Sequence, residues 1–213
     1  MRARLVAEGI TMSYGERRLL DGVDLEVEPG ELVAVTGPSG SGKTTLLLIL
    51  AGVLKPDAGS LRHVPQAPDP GASVVVGLVP QTIALSSFSS AAENIALPLQ
   101  ARAIDPSEIE RRVAEQLAAL GLAAQRDRIV TELSGGQRQR VAVARALALA
   151  PDILIADEAT AELDADNQAI VMDQFTEAAA RGAAVVLATH DPVVAERCHR
   201  SLLLDEARLL VSA

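Results

Sequence analysis

The sequence predicts an α/β fold with a mainly parallel sheet, an N-terminal antiparallel β portion and an inserted helical segment. Three observations predict it. The first thirty residues alternate apolar and polar positions as paired strands do. From residue 134 onward, apolar runs of strand length alternate with helix-patterned stretches, which argues for parallel strands covered on both faces. Between them, residues 84–132 carry helical spacing and break that rhythm, marking a candidate helical subdomain.

LVAEGITMSY and LLDGVDLEVEPG read as the paired N-terminal strands, closed by a Pro29-Gly30 turn. ELVAVTG reads as a buried strand that runs into a glycine-rich loop. TTLLLILAGVL follows as a helix, apolar on every side and therefore expected to be buried. Residues 55–73 are rich in Pro, Gly, Asp and Ala and predict turns and short strands. SVVVGLVPQ predicts a strand ending at Gln81. Asp105-Pro106-Ser107-Glu108 combines an N-cap, a first-turn proline and an acid, and Ile109, Val113, Leu117 and Leu120 continue at helical spacing up to Gly121. Helix 136–149 then leads to the strand DILIAD, a helix near 165–180 to AAVVLATH, and a helix near 192–198 to SLLLD.

Composition narrows the function classes. Hydrophobic residues make up 49% of the 213 residues but aromatics only 1%, so the core must be aliphatic. A formal charge of −9 offers no general attraction to nucleic acid or anionic lipid. The lone cysteine, Cys198, cannot form an internal disulfide, suits a reducing compartment and reads as a packed thiol. The N-terminus lacks the apolar core of a secretory signal. The longest apolar stretch, Leu46 to Leu54, falls far short of the roughly 20 residues a bilayer requires. A role at a membrane would come through a partner chain.

Gly37-Pro38-Ser39-Gly40-Ser41-Gly42-Lys43-Thr44, followed by Thr45, fits the P-loop pattern between a strand and a helix. Glycines let backbone N–H groups curl around phosphate oxygens, and the helix N-terminus adds a favourable dipole. Lys43 brings a positive charge to the β- and γ-phosphates, and Thr44 offers a hydroxyl to Mg²⁺. Ile153-Leu154-Ile155-Ala156-Asp157-Glu158 is an apolar strand ending in two acids. Beside a P-loop, Asp157 can hold the metal through water and Glu158 can orient or deprotonate an attacking water. Leu133-Ser134-Gly135-Gly136-Gln137 opens another helix, with Ser134 as N-cap and two glycines that permit close approach.

In order and spacing these segments resemble the nucleotide-binding subunits of ABC transporters over almost the whole chain. GPSGSGKTT resembles the Walker A motif, LSGGQRQR the family signature, and ILIADE the Walker B strand with its catalytic glutamate. Gln81 is similar to the Q-loop glutamine, Ala161-Glu162-Leu163-Asp164 to the D-loop, and His190 to the switch histidine. Tyr14 resembles the adenine-stacking aromatic, the alternative being a tyrosine that covers a strand surface. Ala159 departs from the proline the family often has there, and the stretch between Lys55 and Gln81 carries extra prolines.

The resemblance implies one ABC ATPase domain over 1–213. A P-loop NTPase core with its β portion would occupy 1–83 and 133–213, and a helical subdomain 84–132. ATP and Mg²⁺ are the implied cofactors. Lys43, Thr44, Asp157 and Gln81 would hold phosphates and metal, and Gln81, Glu158 and His190 would handle water and γ-phosphate. Ser134, Gly135, Gly136 and Gln137 would meet ATP bound to a second ATPase subunit, in a homodimer or pseudo-dimer. An integral membrane subunit would dock near SSFSSAAENIALPLQ, whose AENIALPL also resembles lipoprotein-release and macrolide exporters. That arrangement implies a cytoplasmic chain, peripheral on the inner face of the cell membrane. The alternative is a soluble ABC-type ATPase not coupled to transport. His63, His199, Arg138 and Arg140 read as solvated surface positions.

Overall fold

The computed structural model describes residues 2–66 and 73–211. Two sheets are stacked. The first is antiparallel, with β1 (Ala3–Tyr14) in the centre, β2 (Arg17–Val27) on one side and β4 (Ala58–Pro65) on the other. The proline-rich stretch thus supplies a full strand before residues 67–72, which lie outside the described residues. The second sheet has the order β5-β6-β7-β3-β8-β9. Its members are β3 (Leu32–Thr36), β5 (Val76–Val79), β6 (Ile153–Asp157), β7 (Ala184–Ala188), β8 (Arg200–Asp205) and β9 (Arg208–Val211). All pairings in it are parallel except β8 with β9.

The central strands β3, β6 and β7 are buried almost without interruption, as a sheet covered on both faces requires. Alternate residues feed two cores, because successive side chains leave opposite faces. Leu32, Ala34, Leu154, Ala156, Val185 and Leu187 face one layer, with α4 (Gly135–Ala148) and α5 (Ala165–Ala180). Val33, Val35, Ile153, Ile155, Ala184 and Val186 face the other, which holds α1 (Lys43–Leu50) and the antiparallel sheet. α1 therefore lies between the two sheets, which is why its sequence is apolar all round. Both cores are aliphatic; Phe175 on α5 is fully buried, whereas Tyr14 and Phe88 are exposed.

The interval 84–132 holds α2 (Ala91–Ala101) and α3 (Pro106–Ala119), which pack on each other and on α4. Ser90 and Glu93 form a reciprocal capping box at the start of α2. Asp105 Oδ1 accepts from Ser107 N (2.9 Å) to start α3, and Gly121, at φ 65°, follows its end. Glu108 accepts from Arg111 and Arg112, whose guanidinium groups hold its carboxyl down to about 2.

Several readings of single residues change. Arg140 Nη1 donates to Leu120 O (2.8 Å) and Arg138 Nη1 to Leu133 O (2.8 Å), so both half-buried arginines fasten loops rather than face water. His199 Nδ1 accepts from Leu32 N and half-buried His63 bonds Leu50 O through Nε2, both at 2.8 Å. These histidines are structural. The β5 strand stops at Val79, so Gln81 lies in the bend beyond it. β9 was not foreseen; the turn of Glu206 and Ala207, both at positive φ, folds it back on β8. Cys198 is half-buried, with Sγ donating to Val194 O and its thiol pushed up to about 11 by burial, as a packed thiol should be.

Candidate active site

Strand order decides which side chains meet. β5, β6, β7 and β3 are neighbours and parallel, so the segments leaving their C-terminal ends share one edge of the sheet. Those segments carry Gln81, Asp157–Glu158, His190 and the glycine-rich loop, respectively.

The loop joins β3 to α1 and is bent by left-handed glycines. Gly37 has φ 142°, and a Cβ there would lie 2.3 Å from Leu204 O on neighbouring β8. Gly42 is the N-cap of α1 at φ 108°, makes no side-chain cap, and leaves no acid in the first turn. The start of α1 is therefore an uncapped, electropositive helix end. Lys43 is buried, and its ammonium donates to Gly37 O (2.8 Å) and Pro38 O (3.1 Å), bracing the loop from inside.

Ser39, Gly40, Gly42, Lys43, Thr44 and Thr45 line a cavity of about 320 Å³ together with Gln81, Asp157 and Glu158. Arg17, which the sequence reading did not select, also lines it and donates from Nη2 to Gly40 O (2.8 Å). Its position three residues beyond Tyr14, on the next strand of the hairpin, was the available signal. Asp157 is buried and its Oδ1 has no partner. Burial pushes its carboxyl above the usual range, while the Thr44 hydroxyl opposes the shift and Lys43 opposes it more weakly. A buried carboxylate oxygen without a donor beside a threonine hydroxyl is a donor set suited to a hard cation.

Glu158 adopts φ 50°, an uncommon conformation for a residue with a side chain. Its N–H donates to Ala188 O (3.1 Å), fixing this bend against β7. Its Oε2 lies 2.9 Å from His190 Nδ1, within hydrogen-bond distance. A smaller pocket of about 220 Å³ adjoins this pair and is lined by Ser39, Gln81, Gln139, Glu158, Glu162 and His190. Asp191 accepts from Gln168 Nε2 (2.7 Å) and caps α6 (Pro192–Glu196) through Val193 N, which anchors the segment carrying His190.

Other expected residues stand apart. Ser41 and Pro38 line a neighbouring cleft that shares Arg17, Leu19, Ser39 and Gly40 with the first, and Ser41 Oγ is buried without a partner. Tyr14 ends β1, 55% exposed, and lines neither of the two pockets. Ser134, Gly135, Gly136 and Gln137 also line neither. Ser134 Oγ accepts from Gln137 N (3.3 Å) while Gln137 Oε1 accepts from Ser134 N (2.9 Å), a closed capping box. Gly135 and Gly136 lie against Glu162 and Leu163, respectively.

Fold and cleft together define a P-loop nucleotide-binding cassette. A family model described as ABC transporter matches residues 20–161. The chain is 39% identical over 218 residues to the lipoprotein-releasing system ATP-binding protein LolD of Chromohalobacter salexigens, covering 96% of this chain and 92% of that one. It is 37% identical to a second such protein, from Rhodospirillum rubrum, covering 99% of each. A solved structure described as the dimeric structure of a bacterial ABC transporter cassette superposes with a TM-score of 0.86 at 32% identity, covering 96% of both chains. A related structure of that cassette is described as a post-hydrolysis state bound to ADP and Pi. The chain belongs to the ABC transporter family, as one of its ATP-binding cassettes. Among the described residues no helix is long and apolar enough to cross a membrane.

Proposed function

We propose that this chain binds and hydrolyses ATP, as the ATPase subunit that drives a membrane-embedded transporter partner. The observation that carries the reading is that Lys43 and Asp157 line one pocket and His190 the adjoining one, with Glu158 shared by both. The loop amides and Lys43 bind the β- and γ-phosphates. Thr44, Asp157 and Gln81 are suited to hold Mg²⁺, which when bound neutralises charge on the phosphate oxygens. Glu158 orients a water and takes its proton as the water oxygen attacks the γ-phosphorus. The bond to the β-γ bridging oxygen breaks, leaving ADP and phosphate. His190 holds Glu158 from one side and faces the transferred group with its other nitrogen. Tyr14 stacks on the adenine.

The N-terminus of α4 lines neither pocket of its own chain, so Ser134, Gly135, Gly136 and Gln137 act on ATP held by a second subunit. Two cassettes close around two ATP molecules and open when the shared γ-phosphate is lost. The interval 84–132 serves as the helical subdomain that docks on the membrane subunit, at the inner face of the membrane. Buried Asn94 supports this by tying down the loop before α2. It accepts from Ser86 N (2.7 Å) and donates to Ser90 O (2.9 Å), while Phe88 between them stands 95% exposed. A rigid loop displaying a bare aromatic is suited to a protein partner.

Comparing ATPase rates of the wild type and Glu158→Gln tests the chemistry. Nucleotide binding should persist while turnover falls at least a hundredfold; equal rates would remove Glu158 from the mechanism. Phe88→Asp should abolish co-purification with the membrane subunit and leave ATP binding intact; undiminished co-purification would move the docking surface elsewhere.

A further inference from the structure

The pocket beside Glu158 contains a group to which the reaction above gives no task. Gln139 lies on α4, one turn beyond the glycines of the LSGGQ segment, and is 97% buried by its 3% exposure. Its Nε2 is buried and has no hydrogen-bond partner, although its side chain lines the pocket shared by Glu158, Gln81 and His190. A buried amide that forgoes a bond is destabilising, so an apolar residue of the same shape would suit the fold better. The pocket, at about 220 Å³, exceeds the roughly 30 Å³ of one water. Glu158 has its Oε2 engaged by His190, and a second carboxylate oxygen remains to accept.

We infer that Gln139 is a positioning residue for Glu158: its Nε2–H donates through a pocket water to the Glu158 carboxylate, linking the signature helix to the catalytic group of the same chain. The inference rests on the reading of Glu158 as the group that handles the attacking water. It gives the two ends of α4's first turns separate tasks. The half-buried glycines meet the partner's nucleotide, while the buried amide reports the helix's position to the chain's own Glu158. Asp157, Lys43, Arg17, Glu162 and His190 are the charged or titratable groups lining the two pockets with that carboxylate, and none of them is on α4. Through that water, Gln139 carries a shift of α4 to Glu158.

The test uses Gln139→Met, which keeps length and volume but removes the donor. Expected are a fall in kcat of tenfold or more, unchanged KM for ATP, and a melting temperature close to wild type, because methionine fills the same volume. Misplacement of a reacting group by about 1 Å can cost up to a hundredfold. Combining it with Glu158→Gln should add no further loss, since both act through one carboxylate. Wild-type kcat for Gln139→Met, or losses that multiply in the double variant, would overturn the inference. Gln139→Glu, which replaces donor by acceptor, provides a second check if the methionine variant misfolds, and should lose kcat at least as strongly. If instead Glu158→Gln retains full activity, the reading of Glu158 itself fails, whatever Gln139 does.

Discussion

The starts of α1 and α4 look alike as sequence and differ as structure. Both follow a Ser/Gly-rich turn, and both suit an anion at a helix N-terminus. At α1 the N-cap is a left-handed glycine with no side chain to offer, and the surrounding loop is braced by Lys43. At α4 Ser134 and Gln137 satisfy each other's backbone amides. One end is open within its own chain and lies in a cavity. The other is self-capped and lines neither pocket. The comparison teaches that glycine content sets how close a ligand can come, whereas the cap decides whether the helix end waits for one.

Three experiments bear on that contrast. Lys43→Ala should have the largest effect, lowering ATPase activity by about 10²–10³-fold and weakening binding of a fluorescent ATP analogue; retained binding would deny the α1 cradle its central charge. Gly37→Ala compared with Gly135→Ala comes next. At Gly37 a methyl would meet Leu204 O at 2.3 Å with φ at 142°, so urea denaturation should show a loss of about 2 kcal/mol or more. At Gly135 the new methyl meets only the end of the Glu162 side chain, at 3.2 Å. Alanine also suits a helix better than glycine by about 1 kcal/mol. Gly135→Ala should therefore leave stability equal or higher while ATP-dependent dimer formation falls. A large stability loss at Gly135 would erase the difference between the two turns.

The smallest effect concerns a third helix start, α3, which is clamped by charge. Arg111 and Arg112 depress the folded-state Glu108 carboxyl from its ordinary 4.5 to about 2. A depressed acid stabilises the fold fully above its ordinary value, and that contribution is lost as pH falls from there toward 2. Glu108→Gln should thus lower the melting temperature slightly at neutral pH and flatten its decline on acidification. An unchanged acid limb would show that these exposed pairs contribute nothing.

Most of the fold was legible because its strands are either continuous apolar runs or alternating ones, and each feeds a different layer. DILIAD and AAVVLATH could hardly be anything but central strands. The glycine-rich loop was legible for the same local reason. What escaped the sequence depended on partners distant in the chain. Arg17 is a surface arginine until the hairpin folds over the loop and Gly40 O comes within reach. Arg138 and Arg140 look solvated until Leu133 O and Leu120 O meet them. β9 is visible only once β8 provides an edge. Ser134 was legible as an N-cap, but not that Gln137 Oε1 returns a bond to its amide and closes a capping box.

The aliphatic character of the core has a practical consequence at the nucleotide. The chain has no tryptophan and a single tyrosine, and that tyrosine, exposed at the end of β1, is the residue assigned to the adenine. Near-ultraviolet emission therefore originates almost wholly from one ring at the place of interest. Quenching on titration with ATP would read base stacking without any label, and its absence in Tyr14→Leu would confirm the source of the signal.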